Sequence, residues 1–170
     1  MNLVFSAAQF ASEAHGKQKR KYGSDPYIWH PMRVAGRVTL LGGATEHWVA
    51  AAWLHDVLED TKTRPFELEM LFGPAITKLV SDLTDPSHGL DLPRAERKKM
   101  QREWLARATP VARRIKLADR IDNLWELRRQ DAPADWKALY CEESLLLAEA
   151  IGDVDYEQKD ELMDLVKSMK

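Results

Sequence analysis

Apolar residues recur every three or four positions along most of the chain, which is the spacing of one face of an α-helix. Residues 2–20 show it first, with Val4, Phe5, Ala8 and Ala11 on one stripe. Prolines open and glycines close many of the later segments, as is typical of helix ends. The further predicted helices cover 31–41, 45–60, 65–73, 74–85, 93–107, 110–129, 133–151 and 156–169. Because no alternating run indicates a sheet, the pattern predicts an all-α fold of about nine helices.

Two segments between the helices lack this periodicity. Residues 22–29 contain Gly23 and Pro26 and are predicted to form a turn, and residues 86–92 are predicted to form an irregular loop. The sequence shows no internal repeat and no stretch with the composition of a linker. We therefore expect a single domain over residues 1–170.

Composition and charge exclude several classes of protein. The net charge of −2 is unlike the basic surface of a nucleic-acid-binding module. The single cysteine, Cys141, cannot form an internal disulfide and fits a reducing compartment. The longest apolar run, seven residues over 48–54, is shorter than the ~20 that a membrane helix needs. We expect a cytoplasmic protein without nucleic-acid or membrane partners, and the sequence leaves the oligomeric state open. Five tryptophans are expected to pack in the core: Trp48, Trp53, Trp104, Trp125 and Trp136.

The segment from His55 to Asp60 carries the most informative chemistry. In a continuous helix His55 lies one turn from Glu59, and Asp56 lies one turn from Asp60. An imidazole beside carboxylates suits a divalent ion such as zinc, manganese or iron. The alternative is a solvated helix end, although the helix dipole disfavours negative charge at a carboxyl terminus.

Two other places offer matching residue types. His30 stands before Pro31 at a predicted helix start, and Asp119 lies one turn from Asn123 on an amphipathic helix. Taken alone, the histidine is typical of a helix cap and the acid of a solvated helix face. Taken together with His55 and Asp56, they form one candidate constellation.

This order of residues resembles the H…HD…D pattern of HD-domain metal-dependent phosphohydrolases. Four segments, 14–21, 26–31, 55–61 and 116–123, resemble in order the hydrolase domain of RelA/SpoT-type proteins, which hydrolyse guanosine tetra- and pentaphosphate. The length is similar to that of the small stand-alone hydrolases of the metazoan SpoT homologue type. The resemblance therefore implies a single HD-type helical bundle without a synthetase or regulatory domain.

The resemblance also implies roles for the matching positions. His30, His55, Asp56 and Asp119 would hold one divalent metal ion, which is Mn²⁺ in the family. Glu59 and Asp60 occupy the family's catalytic acid pair, which positions and deprotonates the attacking water. The implied reaction releases pyrophosphate from the ribose 3′ position of ppGpp or pppGpp.

A polyanionic substrate requires cations around it. Arg20 and Lys21 match the family's pair that contacts the base and phosphates, whereas Lys17 and Lys19 of the same run are expected to be solvated. Asn123 matches a residue near the ribose and base. Arg94 and Lys98 belong to a second basic run, at 94–102, and are further substrate-binding candidates, with a solvated basic face as the alternative.

Some positions depart from the family's pattern. Glu126 stands where long members often have threonine near the purine. Tyr140 and Ser144 stand where the family commonly has an arginine and a tyrosine that contact substrate. Tyr27, in the second matched segment, is expected to hold the His30 loop through its hydroxyl.

These departures leave alternative functions open. One is a phosphatase for another nucleotide, such as a nucleoside phosphate or the 2′-phosphate of NADPH. Another is a nucleotide-binding regulator without catalysis, which the presence of the metal ligands and the acid pair disfavours. A small-molecule nucleotide is the expected partner in each case.

Overall fold

The computed structural model describes residues 2–21 and 24–169, and within these ranges it contains nine helices and one isolated β-bridge, between Lys19 and Pro26. The helices are α1 (Leu3–His15), α2 (Trp29–Thr39), α3 (Glu46–Leu54), α4 (Val57–Asp60), α5 (Pro65–Leu83), α6 (Arg94–Arg107), α7 (Pro110–Arg129), α8 (Ala134–Ile151) and α9 (Tyr156–Lys167). The all-α prediction is confirmed. Of the predicted turn at 22–29, Tyr22 and Gly23 lie outside the described residues.

Two of the predicted helices differ most from the structure. The first helix ends at His15 rather than at residue 20, because Gly16 takes a positive φ of 51°, a conformation open to glycine at little cost. The helix predicted over 45–60 is interrupted at His55 and Asp56 and becomes α3 and α4. The two helices predicted over 65–85 both lie within α5 and are divided by a non-helical kink at Gly73, φ 78°, where the sequence predicts the division.

α7 is the central helix of the molecule because it contributes to two apolar clusters. Ile115 and Ala118 pack with buried residues of α1, α2, α3 and α5. Leu117, Ile121 and Leu124 pack with α6, α8 and α9. A helix that is apolar on two sides is held on both, which fixes its remaining polar side chains in place.

The tryptophans do not share one environment. Trp48 and Trp53 pack against the first apolar cluster and Trp125 against the second. Trp104 is 42% exposed and donates a hydrogen bond to the Asp82 carbonyl. Trp136 lines a cavity instead of the core. None of the helices in the described ranges combines the length and apolar character that crossing a bilayer requires.

Candidate metal centre

His30, His55 and Asp56 converge between α2, the end of α3 and α7. Each offers one ligand atom, and these atoms all lie within 4.8 Å of one another. The His55 Nε2 is 3.0 Å from Asp56 Oδ2 and 3.2 Å from His30 Nε2. Both imidazoles are 1% exposed. Histidine nitrogens and a carboxylate oxygen grouped in this way are a donor set for a divalent transition metal.

Asp119 of α7 reaches the same group from the opposite side. Its Oδ1 is 3.2 Å from His30 Nε2 and 3.7 Å from His55 Nε2. The structure therefore brings together the four residues of the H…HD…D pattern, which come from three separate regions of the chain.

The interruption between α3 and α4 explains how His55 and Asp56 can face the same point. Consecutive residues of a regular helix project about 100° apart, so they do not converge. Here α3 ends at Leu54 and Asp56 has φ −102° and ψ −5°, away from regular helical values. The continuous helix of the sequence prediction would separate the two side chains that this break brings together.

The outer nitrogens of both imidazoles are hydrogen-bonded, which leaves Nε2 of each ring facing the centre. His55 Nδ1 donates to the Ala52 carbonyl at 2.8 Å. His30 Nδ1 donates to Asp122 Oδ2 at 2.7 Å. In a neutral ring Nε2 then carries a lone pair, and metal-bound histidines are commonly fixed in this manner. Two such lone pairs 3.2 Å apart repel unless a cation lies between them, so the residues fit a bound metal ion.

The charges of the centre favour a cation as well. Burial favours neutral imidazole, but Asp56 and Asp119 outweigh it and hold the pKa of His55 well above its ordinary value. Burial opposes ionisation of Asp119, yet Lys116 and the imidazoles hold its pKa well below the usual range. A centre with two ionised carboxylates attracts positive charge, whether protons on the imidazoles or a metal ion.

Lys116 supports Asp119 from within the same helix, and sequence reasoning gave it no role. Its Nζ lies 2.8 Å from Asp119 Oδ2, and the residue is 6% exposed. Burial disfavours the ammonium ion, but Asp119 and Glu59 raise the pKa of Lys116 above its ordinary value. The lysine occupies Oδ2 and leaves Oδ1 directed at the histidines.

Glu59 and Asp60 lie on α4, close to the centre but with different partners. Glu59 Oε1 accepts a hydrogen bond from the Asp85 backbone at 2.6 Å. Burial raises the pKa of Glu59, and the charge of Asp56 raises it further, against the opposing effect of Lys116. Asp60 Oδ2 lies 2.5 Å from the Tyr27 hydroxyl.

The Tyr27 hydroxyl links the acid pair to the metal ligands. It lies 2.7 Å from Asp56 Oδ2 as well as close to Asp60, and since it carries one proton it donates to one carboxylate at a time. Because Tyr27 itself belongs to the segment that leads into His30, these contacts hold that loop through the hydroxyl, as the sequence predicts. The ring of Tyr27 stacks on His15, which is held by Gln18.

Two cavities flank the centre. The acid cavity, about 730 Å³, is lined by Glu59 and Asp60 together with Glu13, Gln18 and Glu67. The α7–α8 cavity, about 260 Å³, is lined by Lys19, Arg20, Lys21, Tyr27, Asn123, Glu126, Leu127, Gln130, Trp136 and Tyr140. Tyr27 joins them, because its ring lines the second cavity and its hydroxyl reaches Asp60 of the first.

Arg20 has two hydrogen-bond partners within the α7–α8 cavity. Its Nε donates to Glu126 Oε2 at 2.8 Å and its Nη2 donates to Asn123 Oδ1 at 2.5 Å. Asn123 Nδ2 in turn donates to Asp119 Oδ1 at 2.5 Å. Three of the predicted substrate-binding residues, Arg20, Lys21 and Asn123, thus share one cavity. Lys19, expected to be solvated, also lines it.

Arg94 and Lys98 do not line this cavity. Arg94 forms a two-pronged ion pair with Glu143, at 2.8 and 2.7 Å, and packs over the Trp136 ring. Lys98 donates to Gln101 at 3.0 Å and lies 3.8 Å from Asp85. Burial lowers the pKa of Lys98 to about 8, and the positive charges of Arg120 and Lys116 contribute.

Arg33 and Asp122 are further site residues that sequence reasoning missed. Asp122 is 2% exposed and accepts hydrogen bonds from His30 and from both Nε and Nη2 of Arg33, at 2.8 and 3.0 Å. The sequence did contain a signal for Asp122. It lies within the matched segment 116–123, one helical turn from Asp119, so it faces the same buried side of the helix.

An all-helical bundle with two histidines and two aspartates at its centre defines an HD-domain protein. The chain belongs to this family, since the family model described as HD domain matches residues 7–145. The resemblance to RelA/SpoT-type hydrolases is confirmed by the relatives that the chain matches.

Two curated relatives carry the name guanosine-3′,5′-bis(diphosphate) 3′-pyrophosphohydrolase MESH1. The Xenopus tropicalis protein is 40% identical over 136 residues, which are 79% of this chain and 74% of that protein. The Homo sapiens protein is 41% identical over 135 residues, 78% of this chain and 73% of that protein. A solved structure, described as a metazoan ortholog of SpoT that hydrolyzes ppGpp, superposes with a TM-score of 0.88 at 28% identity, covering 98% of this chain and 95% of that one.

Proposed function

We propose that this chain is a metal-dependent phosphohydrolase that removes pyrophosphate from the 3′ position of guanosine 3′-diphosphate 5′-di- or triphosphate. The observation that carries the proposal is the convergence of His30, His55 and Asp56 within 4.8 Å, next to a cavity that contains Arg20 and Asn123. The names and coverage of the MESH1 relatives support this substrate.

His30, His55, Asp56 and Asp119 would hold one divalent ion, and Mn²⁺ is the ion we propose. Mixed imidazole and carboxylate donors suit a divalent transition metal, whereas calcium and magnesium prefer sites made of oxygen ligands alone. When bound, such an ion lowers the pKa of a water molecule and stabilises negative charge on the phosphoryl group under attack.

Glu59 is the proposed base. Hydrolysis requires that the attacking water give up a proton, and a carboxylate nearby can accept it at Oε. Because burial and Asp56 raise the pKa of Glu59, its carboxylate is a stronger base than a solvated one. The Asp85 backbone holds Oε1, which leaves Oε2 to receive the proton.

Asp60 is proposed to orient the water with Glu59. The Tyr27 hydroxyl fixes Oδ2 of Asp60, and Gln18 donates to its backbone carbonyl at 2.5 Å. The side chain of Asp60 is thus held through Oδ2 and its backbone through the carbonyl, which limits the directions that Oδ1 can take. Orientation of this kind contributes to rate by keeping reacting atoms in a productive geometry.

The α7–α8 cavity is proposed to hold the nucleoside. Arg20 can stack on a purine or fork onto phosphate, and Lys21 adds a second charge. Glu126 Oε2 is engaged by Arg20, while Oε1 accepts none of the hydrogen bonds formed by the described residues. A carboxylate oxygen in the cavity supports guanine over adenine, because only guanine presents N1–H and an adjacent amino group as donors.

Arg94 and Lys98 are proposed to attract the phosphates from outside the cavity. Arg94 packs on Trp136, whose ring lines the cavity, so its charge stands behind that wall. The positive charge of Lys98 is less neutralised than that of Arg94, since the carboxylate it pairs with, Asp85, is 3.8 Å away.

The test is a substrate panel with purified protein and Mn²⁺. Guanosine tetraphosphate, NADPH and nucleoside monophosphates are supplied in parallel, and released pyrophosphate and phosphate are measured separately. Pyrophosphate from the tetraphosphate with much lower turnover of the others supports the proposal. Phosphate released from NADPH at a higher kcat/KM would replace it with a nucleotide phosphatase.

A further inference from the structure

A closed circuit of polar contacts joins the metal centre to the α7–α8 cavity. From His30 it passes to Asp122 at 2.7 Å and from Asp122 to Arg33 at 2.8 Å. Arg33 Nη2 lies 3.4 Å from Glu126 Oε2, the oxygen that also accepts from Arg20 at 2.8 Å. From Arg20 the circuit returns through Asn123 to Asp119, with both of those contacts at 2.5 Å.

Arg33 contacts both Asp122, which bonds the metal-centre residue His30, and Glu126, which lines the α7–α8 cavity. It is itself neither a metal-ligand candidate nor a residue of the cavity wall. It lies on α2, three residues after His30, and does not line the α7–α8 cavity. Its guanidinium covers two carboxylates of neighbouring turns of α7, Asp122 and Glu126. Both carboxylates are largely buried, with side-chain exposures of 2% and 11%. Buried carboxylates need partners, and a charge left without one is strongly destabilising.

We propose that Arg33 is a positioning residue shared by metal binding and nucleotide binding. Through Asp122 it fixes the orientation of the His30 imidazole, and through Glu126 it fixes the plane of the Arg20 guanidinium. The part of this proposal that concerns nucleotide binding rests on the function proposed above, whereas the part that concerns metal binding does not. One side chain therefore supports the chemistry and the recognition of the substrate together.

The fork of the guanidinium is what allows this double role. Arg33 uses Nε and Nη2 on Asp122, and the same Nη2 faces Glu126. A planar guanidinium offers five donors in fixed directions, whereas a lysine ammonium is a compact charge on a flexible stem. Lysine at this position would keep the positive charge but could not hold both acceptors in one geometry.

Contacts of this kind have measurable effects on metal affinity. Loss of a partner behind a metal-bound histidine typically weakens metal binding by about 10- to 100-fold. Because Arg33 acts through Asp122, we expect Arg33→Met, which keeps the length and removes the charge, to weaken Mn²⁺ binding by about 10-fold, the lower end of that range. The affinity is measured by calorimetric titration of chelator-treated protein with Mn²⁺ alone, without nucleotide.

Arg37→Met is the matched control. Arg37 lies one turn further along α2 and pairs with the half-exposed Glu161 at 2.9 Å, away from the circuit. It should leave both the Mn²⁺ affinity and KM within about twofold of the wild type, since surface ion pairs contribute little. Arg33→Lys serves as a second variant in case Arg33→Met fails to fold, and should give an intermediate Mn²⁺ affinity.

Two double variants separate positioning from a general loss of stability. In an Asp122→Asn background, Arg33→Met should change the Mn²⁺ affinity by less than about twofold, because the connection to His30 is already weakened. Arg33→Met alone should also raise KM, because it releases the Arg20 guanidinium. In an Arg20→Ala background it should no longer do so, while its effect on Mn²⁺ affinity persists. A residue that merely stabilised the fold would show its full effect in every background.

The outcomes divide clearly. Mn²⁺ affinity of Arg33→Met equal to that of Arg37→Met, or complete rescue by Arg33→Lys, overturns the inference. Undiminished effects in both double variants overturn it as well, because they assign Arg33 a purely structural role. If the wild type binds Mn²⁺ but leaves guanosine tetraphosphate intact, the proposed function is wrong, and the Mn²⁺ titrations still test the part that concerns metal binding.

Discussion

The metal centre and the α7–α8 cavity are neighbours on the same helix, yet their charges are balanced in opposite ways. In the centre, carboxylates face imidazoles across 3.0–3.7 Å, and the ammonium of Lys116 pairs with Asp119 Oδ2, the oxygen that does not face them. In the cavity, Arg20 already has a carboxylate and an amide as partners. The first arrangement attracts a cation, whereas the second holds a preorganised cation ready for an anion or a purine.

Burial differs as well, and this difference indicates what each region does. The two histidines of the centre are 1% exposed, but the Arg20 side chain is 16% exposed. Substitution in the buried centre removes the reaction itself, while substitution at the cavity wall removes binding that ground and transition states share. Substitutions in the centre should therefore act mainly on kcat, and substitutions at the cavity wall mainly on KM.

The largest effect is expected at the centre. His55→Ala or Asp56→Ala should abolish metal retention and activity while leaving the helical circular dichroism spectrum nearly unchanged. His47→Ala is the control, because His47 is an exposed histidine of α3, the helix that ends just before His55. Metal analysis that shows full occupancy in both variants would remove these residues from the ligand set.

A smaller but still large loss is expected from Glu59→Gln. The amide oxygen can still accept from the Asp85 backbone, so the loop stays in place, but the amide cannot take a proton from water. The metal should remain bound, and kcat should fall by about 10²- to 10⁴-fold. Exposed Glu69 of α5, changed to Gln, provides the control, and wild-type kcat in Glu59→Gln would exclude Glu59 as the base.

The contrast between the two regions also explains what the sequence could predict. The helices follow from periodicity, and the four metal-centre residues follow from a motif order that resembles a family. The break after Leu54 could not be predicted, because His55 and Asp56 continue a helical pattern and their partners, His30 and Asp119, lie far away in sequence.

Ion pairs between residues far apart in sequence could not be predicted either, because they depend on how the helices pack. Arg33 and Asp122 are 89 residues apart, and Arg20 and Glu126 are 106 residues apart. Periodicity shows which face of a helix is buried but not which charged residue of another helix will meet it. Hence Arg20 was predicted as a ligand of the substrate, whereas the pairing that orients it required the structure.

A moderate effect is expected from Arg20, a cation of the cavity wall. Arg20→Ala should raise KM by about 10- to 100-fold, the range of a lost hydrogen bond to a charged group, and lower kcat less. Lys17→Ala is the control, since Lys17 is exposed and does not line the cavity. Ionic strength is held constant, because exposed charges are screened over ~10 Å at 0.1 M salt.

The result of the control decides what the basic run does. If Lys17→Ala weakens binding as much as Arg20→Ala, the run acts as a diffuse attractor of anions, and the proposed purine-reading role of Arg20 is wrong. An unchanged KM in Lys17→Ala supports a specific contact between Arg20 and the nucleotide. The cavity then acts through a preorganised cation, whereas the metal centre acts through carboxylates that attract one.

The smallest effect is expected from Lys98, and it depends on pH. The pKa of Lys98 is lowered to about 8 by burial and by Arg120, Lys116 and Arg94, while Asp85 acts in the opposite direction. Below that pH the ammonium is charged and attracts phosphate, and above it the charge is lost. kcat/KM, which reports the free enzyme, should therefore fall by about 2- to 5-fold as pH rises through 8, the size of an ion pair near the surface.

Lys98→Arg distinguishes this origin from any other alkaline ionisation. Arginine keeps its charge at every pH used, so the variant should lose the part of the alkaline decrease that belongs to Lys98. Lys99→Arg on the same helix is the control, because Lys99 is exposed and pairs only loosely with Glu103 at 3.9 Å. An identical pH profile in wild type and Lys98→Arg would show that Lys98 does not contribute to phosphate binding, and the cations that matter would then be confined to the α7–α8 cavity.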